Sequence, residues 1–180
     1  MGLVLKSAAL TKLAAASLKR NGAIEVKFPV VIPFVEALGF ELHHFDGGHA
    51  ELRVDLDQAH LNSWEVAHGG VLMTMLDVAM AHAARSIHAH EPDFGPGVVT
   101  VEMKTSFMRP AEGRLRCNAK LLHRSTTLAF CEASVLDDDN HLCAHATGTF
   151  KYLRKLPTKG RNMKALRPTS TPTPPKEATP

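Results

Sequence analysis

A single acid lies within an apolar stretch of this chain. Residues 71–84 are mostly Ala, Val, Leu and Met, and Asp77 is the only one of them that carries a full charge. A carboxylate in apolar surroundings loses its hydration, which costs several kcal/mol unless a partner compensates. Such a costly residue indicates chemistry, because a carboxylate can activate a water molecule or attack a carbonyl carbon.

The segment before this stretch ends in His68, Gly69 and Gly70. The apolar stretch predicts a helix, and the N–H groups of a first helical turn have no partner within their helix. Glycine lets the backbone approach a ligand closely. The start of this helix can therefore hold the negative oxygen that develops on a carbonyl under attack.

The spacing of these two features predicts how the protein assembles. Asp77 lies nine residues beyond His68. In a helix, nine residues turn the side chain to roughly the opposite face, about 13 Å further along the axis. One chain therefore cannot bring both to the same atom, whereas a two-fold dimer with paired helices can. We expect an obligate homodimer with two sites at its interface.

The remaining pattern predicts an α+β fold with one antiparallel sheet. Pro33 to Leu38 reads as a short helix ended by Gly39, and the central helix continues to about His88. Strands are expected at 40–45, 49–56, 98–108, 114–124, 128–136 and 141–153, several of them joined by short turns. In the strand that starts at Val98, strict alternation puts Val99 and Val101 on the apolar face and Thr100 on the polar face.

Length and composition fit one domain with two extensions. Residues 25–155 form the expected domain, residues 1–24 an amphipathic extension, and residues 156–180 a disordered basic tail rich in Pro and Thr. The first twenty residues, basic and free of acids, are also compatible with an organellar presequence.

Composition argues against several functional classes. The net charge of +3 and the small number of aromatic residues do not indicate a nucleic-acid partner, and no apolar window is long enough to span a membrane. Three cysteines without a CxxC pair indicate free thiols in a reducing compartment, so we expect a cytoplasmic protein. The histidines have no spacing that would complete a metal site.

The order of elements and residues resembles the hotdog-fold acyl-CoA thioesterases, most closely the phenylacetic-acid-degradation (PaaI-like) type. The resemblance covers roughly residues 25–153. It depends on Asn62, the His68 to Gly70 turn, Asp77, the strand from Thr100 to Pro110 and the closing segment from Ala146 to Phe150.

This resemblance implies a sheet wrapped around one long helix, and a dimer that in many relatives pairs into a tetramer. Asp77 matches the catalytic acid, and the N–H groups of Gly69 and Gly70 match those that polarise the thioester carbonyl. Asn62 matches a residue that places water, His68 one that supports the loop, and Thr100 a hydroxyl near the acid. No cofactor is implied, since coenzyme A is part of the substrate.

Substrate contacts are predicted less directly. Relatives often carry glycine where this chain has Glu65, and Trp64 and Glu65 either line the substrate entrance or serve as a packed Trp and a solvated Glu. Met73 is expected in the acyl pocket. For the phosphates of coenzyme A the candidate cations are Arg109, Lys120, Arg124, Lys151 and Arg154, with Arg124 first.

Two other functions are compatible with the pattern. A hotdog hydratase or dehydratase would use a histidine as its base, and here His68 lies at the helix entrance with no obvious second proton carrier. A non-catalytic acyl-CoA-binding protein would keep the pocket without turnover. Asp77 could also be a structural acid that a neighbouring hydroxyl satisfies.

Overall fold

The computed structural model describes residues 27–28, 30–91 and 95–153. The predicted extension at 1–24 and the predicted tail at 156–180 lie outside these residues. Two α-helices and six strands occur in the described part: α1 (Pro33–Ala37), β1 (Glu41–Asp46), β2 (His49–Asp55), α2 (Gly69–Ser86), β3 (Gly97–Phe107), β4 (Arg114–Arg124), β5 (Leu128–Leu136) and β6 (Leu142–Leu153). All of these were predicted, and their ends agree within two residues. A 3-10 helix at Gln58–His60, which was not predicted, lies between β2 and α2. Neither helix has the length and hydropathy that crossing a bilayer requires.

The six strands form one antiparallel sheet in the order β1-β2-β4-β5-β6-β3. The tight β1–β2 turn follows from its two glycines, because Gly47 and Gly48 adopt φ values of +57° and +84° that side-chain-bearing residues rarely take. This topology confirms the predicted fold class and leaves β3 as an edge strand.

Helix α2 packs across one face of the sheet. Met75, Leu76, Ala79 and Met80 are fully buried in a core with the inward residues of the strands. In β4 and β5 these inward residues alternate with outward ones, and they include Leu115, Cys117, Ala133 and Val135. The apolar pattern therefore fixes the side of α2 that faces the sheet, and Asp77 lies on another side, half-buried.

The predicted alternation in β3 is wrong, because the strand contains a bulge. Thr100 pairs with Phe150 and Glu102 pairs with Thr149, so Val101 is an extra residue between them. Since directly paired residues lie on the same side of a sheet, Thr100 shares the inward side of the buried Phe150. Val101 is 57% exposed. The bulge thus moves Thr100 from the expected polar face to the face that α2 covers.

Candidate active site

Asp77 lies near the middle of α2 and is oriented by a hydroxyl group from the sheet. The Thr100 hydroxyl donates a hydrogen bond of 2.6 Å to Oδ1 of Asp77. The sequence placed Thr100 near the acid only through the family resemblance, and the bulge at Val101 is the feature that brings it there. Among the described residues, Oδ2 of Asp77 has no hydrogen-bond donor and is free to act on a water molecule or a carbonyl carbon.

The start of α2 is capped by His68. Its side chain accepts a 2.9 Å hydrogen bond through Nδ1 from the N–H of Gly70. Gly70 was predicted to offer its N–H to a substrate, and this contact corrects that prediction: the donor is already used within the turn. Among the described residues, the Gly69 N–H has no acceptor, so Gly69 is the N–H donor that remains for an oxyanion.

The same contact fixes the tautomer of His68. Because Nδ1 accepts a hydrogen bond, the proton of the neutral ring resides on Nε2. The ring is exposed and has no other hydrogen-bond partner among the described residues. His68 thus presents a second donor beside Gly69, which suits contact with a carbonyl oxygen better than service as a base.

Asn62 begins a tight loop that ends at Val66. Its backbone N–H donates to the Val66 carbonyl, its carbonyl accepts from Glu65, and its Oδ1 accepts a 2.8 Å hydrogen bond from the N–H of Trp64. With Oδ1 used in this way, the side-chain NH₂ group is what Asn62 offers to its surroundings. Such a donor can hold the oxygen of a water molecule or of a carboxylate.

Glu65 adopts a φ of +61°, the left-handed conformation that glycine takes without strain. Relatives often carry glycine at this position, and Glu65 keeps a backbone conformation that suits glycine although the residue type differs. Trp64, next to it, is 84% exposed. Both side chains are exposed at the surface.

His60 was not singled out from the sequence, although it holds this loop in place. It is buried, Nδ1 accepts from the N–H of Asp57, and Nε2 lies 3.0 Å from the Leu38 carbonyl at the end of α1. Its own carbonyl accepts a 2.8 Å hydrogen bond from the His68 N–H. The Asp57-to-His60 spacing, typical of a capping box, was the available signal.

The two halves of the candidate site lie in separate cavities of the chain. Asp77, Thr100 and Met73 line one of about 390 Å³, whereas Asn62 and Gly69 line another of about 360 Å³ together with Phe107 and Arg109. The structure therefore keeps the acid apart from the helix start, as the nine-residue spacing predicts.

The candidate cations are distributed unevenly around these cavities. Arg109 lines the cavity at Gly69, and its guanidinium donates to the Leu142 carbonyl. Arg124 lies instead in a third cavity, with His88, Glu91 and Tyr152 near the end of α2. Lys120 and Lys151 are exposed on strands, and Arg154 lies outside the described residues. Within one chain, Arg109 and not Arg124 is the cation beside the candidate site.

The three cysteines are free, buried and located in strands, as predicted. Burial raises the pKa of the Cys131 thiol to about 12 and raises that of Cys117 further. A nucleophilic thiolate is therefore unavailable at either position at neutral pH.

Comparisons with known proteins identify the family and the fold of this chain. Residues 65–144 match the family model described as "Thioesterase superfamily". A solved structure of the conserved protein PA5202 from Pseudomonas aeruginosa is 32% identical, with a TM-score of 0.64, and the match covers 69% of this chain and 97% of that one. The chain belongs to the thioesterase superfamily. Its sheet and single long helix are the hotdog fold.

Two further relatives carry functional names. A variant of the phenylacetic acid degradation protein PaaI from Thermus thermophilus is 28% identical with a TM-score of 0.59, over 68% of this chain and all of that one. The medium/long-chain acyl-CoA thioesterase YigI of Salmonella typhimurium is 27% identical over 66% of this chain and 84% of its own length. Family membership supports hydrolysis of a thioester as the general reaction of this protein.

Proposed function

We propose that this protein is a homodimeric acyl-CoA thioesterase, which hydrolyses its substrate to a free acid and coenzyme A. The observation that carries the proposal is Asp77, oriented by the Thr100 hydroxyl at 2.6 Å with one carboxylate oxygen left free. The names of relatives such as YigI support coenzyme A as the thiol part of the substrate.

In the proposed reaction the thioester carbonyl lies between two subunits. The carbonyl oxygen accepts hydrogen bonds from the N–H of Gly69 and from Nε2 of His68 of the partner subunit, which stabilise its negative charge as the carbonyl carbon is attacked. The free oxygen of Asp77 either takes a proton from the attacking water, held by the Asn62 amide, or attacks the carbon itself. Both routes cleave the C–S bond and consume one water molecule.

The edge strand β3 is the proposed contact between subunits. It has eleven residues, and among the described residues only its β6 side is paired, so its other edge offers unpaired backbone groups. Val99 and Val101 are exposed on it. Pairing of two β3 strands would continue the sheet and set the start of one α2 beside the middle of the other. Two such dimers could assemble further into a tetramer.

Four residues complete the proposed substrate contacts. Trp64 would cover the bound thioester from the loop before the helix, and Met73 contributes to the wall beside Asp77. Arg124 remains a candidate for a phosphate of coenzyme A through the partner subunit, with Arg109 as the nearer cation.

The proposed location is the cytoplasm, because three free thiols favour a reducing compartment.

Release of free thiol from acyl-CoA substrates tests the assignment. Asp77→Asn should reduce turnover by at least about 1000-fold and leave folding and assembly intact, because it removes the only proposed base or nucleophile. Asp139→Asn, which changes an exposed acid in the β5–β6 turn, is the matched control and should retain the wild-type rate. A rate for Asp77→Asn within a few-fold of wild type would remove Asp77 from the mechanism.

A mixing experiment tests whether the two subunits share each site. Asp77→Asn and His68→Ala chains, each nearly inactive alone, should regain activity when co-expressed. Random pairing makes half of the dimers mixed, and each mixed dimer has one site free of both substitutions, so about one quarter of the wild-type activity should return. No recovery in verified mixed dimers would show that each chain builds its own site.

A further inference from the structure

The cavity beside Asp77 has a mostly apolar wall. Helix α1 and the residues before it form one side, and α2 and β3 form the other. Its apolar lining consists of Ile32, Phe34, Val35, Met73, Val78 and Met103. The two methionines are unbranched and adapt to different shapes.

The hydroxyl groups of this cavity already donate hydrogen bonds within the chain. The Thr100 hydroxyl donates to Asp77, and the Thr74 hydroxyl donates a 2.8 Å hydrogen bond to the Gly70 carbonyl. Among the described residues no Lys, Arg, Asn or Gln lines this cavity, and Oδ2 of Asp77, its open carboxylate oxygen, acts at the thioester in the proposed reaction. A hydroxyl or amide of a ligand buried against the apolar wall, away from Asp77, would find no partner there and would lose its hydrogen bonds to water without replacement.

The cavity at Gly69 has the opposite character. Its lining includes the Asn62 amide, whose NH₂ group has no acceptor among the described residues, and the Arg109 guanidinium, which uses one nitrogen on the Leu142 carbonyl. The pantetheine arm of coenzyme A carries two amides and continues into phosphates, which require such donors. The cavity at Gly69 therefore suits the coenzyme A part of the substrate, and the cavity beside Asp77 suits the acyl part on the other side of the thioester.

We infer that the cavity beside Asp77 binds the acyl group and selects an unsubstituted hydrocarbon acyl chain, whose preferred length Phe34 and Met73 set. This inference rests on the proposed thioesterase function. Phe34 and Met73 are 62% and 42% exposed in the single chain, so they form the open rim of the cavity, where a longer chain would make its last contacts. Each methylene that reaches this wall should raise kcat/KM about fourfold until the cavity is filled.

Matched substrate pairs test the selection for an unsubstituted chain. Thiol release would be measured for octanoyl-CoA against 8-hydroxyoctanoyl-CoA, and for phenylacetyl-CoA against 4-hydroxyphenylacetyl-CoA. The hydroxylated member of each pair should have a kcat/KM lower by about 10-fold to 100-fold, because its hydroxyl is buried unpaired. Equal values within threefold, or preference for the hydroxylated member, would overturn the inference.

Two variants and a control test the role of the rim. In Phe34→Ala and in Met73→Ala, the ratio of kcat/KM for octanoyl-CoA to that for acetyl-CoA should fall about 10-fold. Phe130→Ala is the control, since Phe130 is also a partly exposed apolar residue but lies on the outer side of β5. A ratio that responds equally in all three variants would show that Phe34 and Met73 do not set chain length.

Binding separates failure of this inference from failure of the proposed function. Calorimetry with non-hydrolysable thioether analogues of the octanoyl pair reports on the cavity without any turnover. If no acyl-CoA releases thiol, the thioesterase proposal fails, yet at least 10-fold tighter binding of the unsubstituted analogue would still support the acyl cavity. Equal binding of the two analogues would overturn the cavity inference even in an active enzyme.

Discussion

Acid should destabilise this protein through one buried histidine, His82. Its ring lies inside the core between Phe28 and Phe45, edge-on to both, and Nδ1 contacts the Val78 carbonyl at 2.7 Å. Among the described residues Nε2 is buried without a hydrogen-bond partner. Burial is the main cause that lowers the pKa of His82 from 6.5 to about 4, and the charge of Arg85 acts in the same direction.

The direction in which pH changes the free energy of unfolding depends on whether the folded or the unfolded chain binds the proton at the higher pH. Below about pH 6.5 an unfolded chain protonates His82, whereas the folded protein leaves it neutral until about pH 4. The free energy of unfolding should therefore be unaffected by His82 above pH 6.5 and fall as the pH decreases to 4. The expected loss is about 1 kcal/mol at pH 5.5 and roughly 3 kcal/mol by pH 4.

Urea unfolding at fixed protein concentration measures this loss at intervals between pH 7.5 and pH 4.5. His82→Phe keeps an aromatic ring in this aromatic environment and should flatten the profile between pH 6.5 and 4.5. His90→Gln removes a histidine whose side chain is 93% exposed and should retain the wild-type slope. Asp137 does not interfere, because contacts with His141 lower its pKa from 3.8 and its stabilisation is lost only at more acid pH.

The reasoning fails if His82→Phe folds normally and still loses the wild-type amount of stability between pH 6.5 and 4.5. It also fails if wild type loses less than about 0.5 kcal/mol over that range. Either result would mean that the folded protein admits a proton to His82 as readily as the unfolded chain does.

Three further predictions concern the site and its loop. Thr100→Val should lower kcat about 10-fold by removing the hydroxyl that orients Asp77, and kcat for octanoyl-CoA equal to wild type would contradict this role. Gly70→Ala would place a methyl group 3.0 Å from Nδ1 of His68 and disturb the turn, so kcat should fall about 10-fold or more. Thiol release measures kcat, and circular dichroism checks that the variant is folded. Glu65→Gly should relieve the left-handed strain and raise the free energy of unfolding in urea by about 1 kcal/mol, whereas a decrease would show that the Glu65 side chain is itself stabilising.

The sequence alone predicted the helices and strands of this protein and the kind of reaction that its residues could carry out. Alternation in β4 and β5, the glycines of the β1–β2 turn and the apolar stretch around Asp77 are local patterns, and local patterns determine strands, turns and helices directly. The offset of nine residues from His68 to Asp77 also separated the two halves of the site, since helix geometry fixes that separation without any tertiary contact.

Tertiary structure decided the details on which the proposed chemistry depends. The bulge at Val101 is seen only in the pairing with β6, and it puts Thr100 on the side of the sheet from which its hydroxyl reaches Asp77. The orientation of the His68 ring decides that Gly69 and not Gly70 keeps a free N–H, and the packing of α1 beside α2 creates the apolar cavity. These features depend on contacts between residues distant in the chain or on the choice between side-chain rotamers, and periodicity encodes neither.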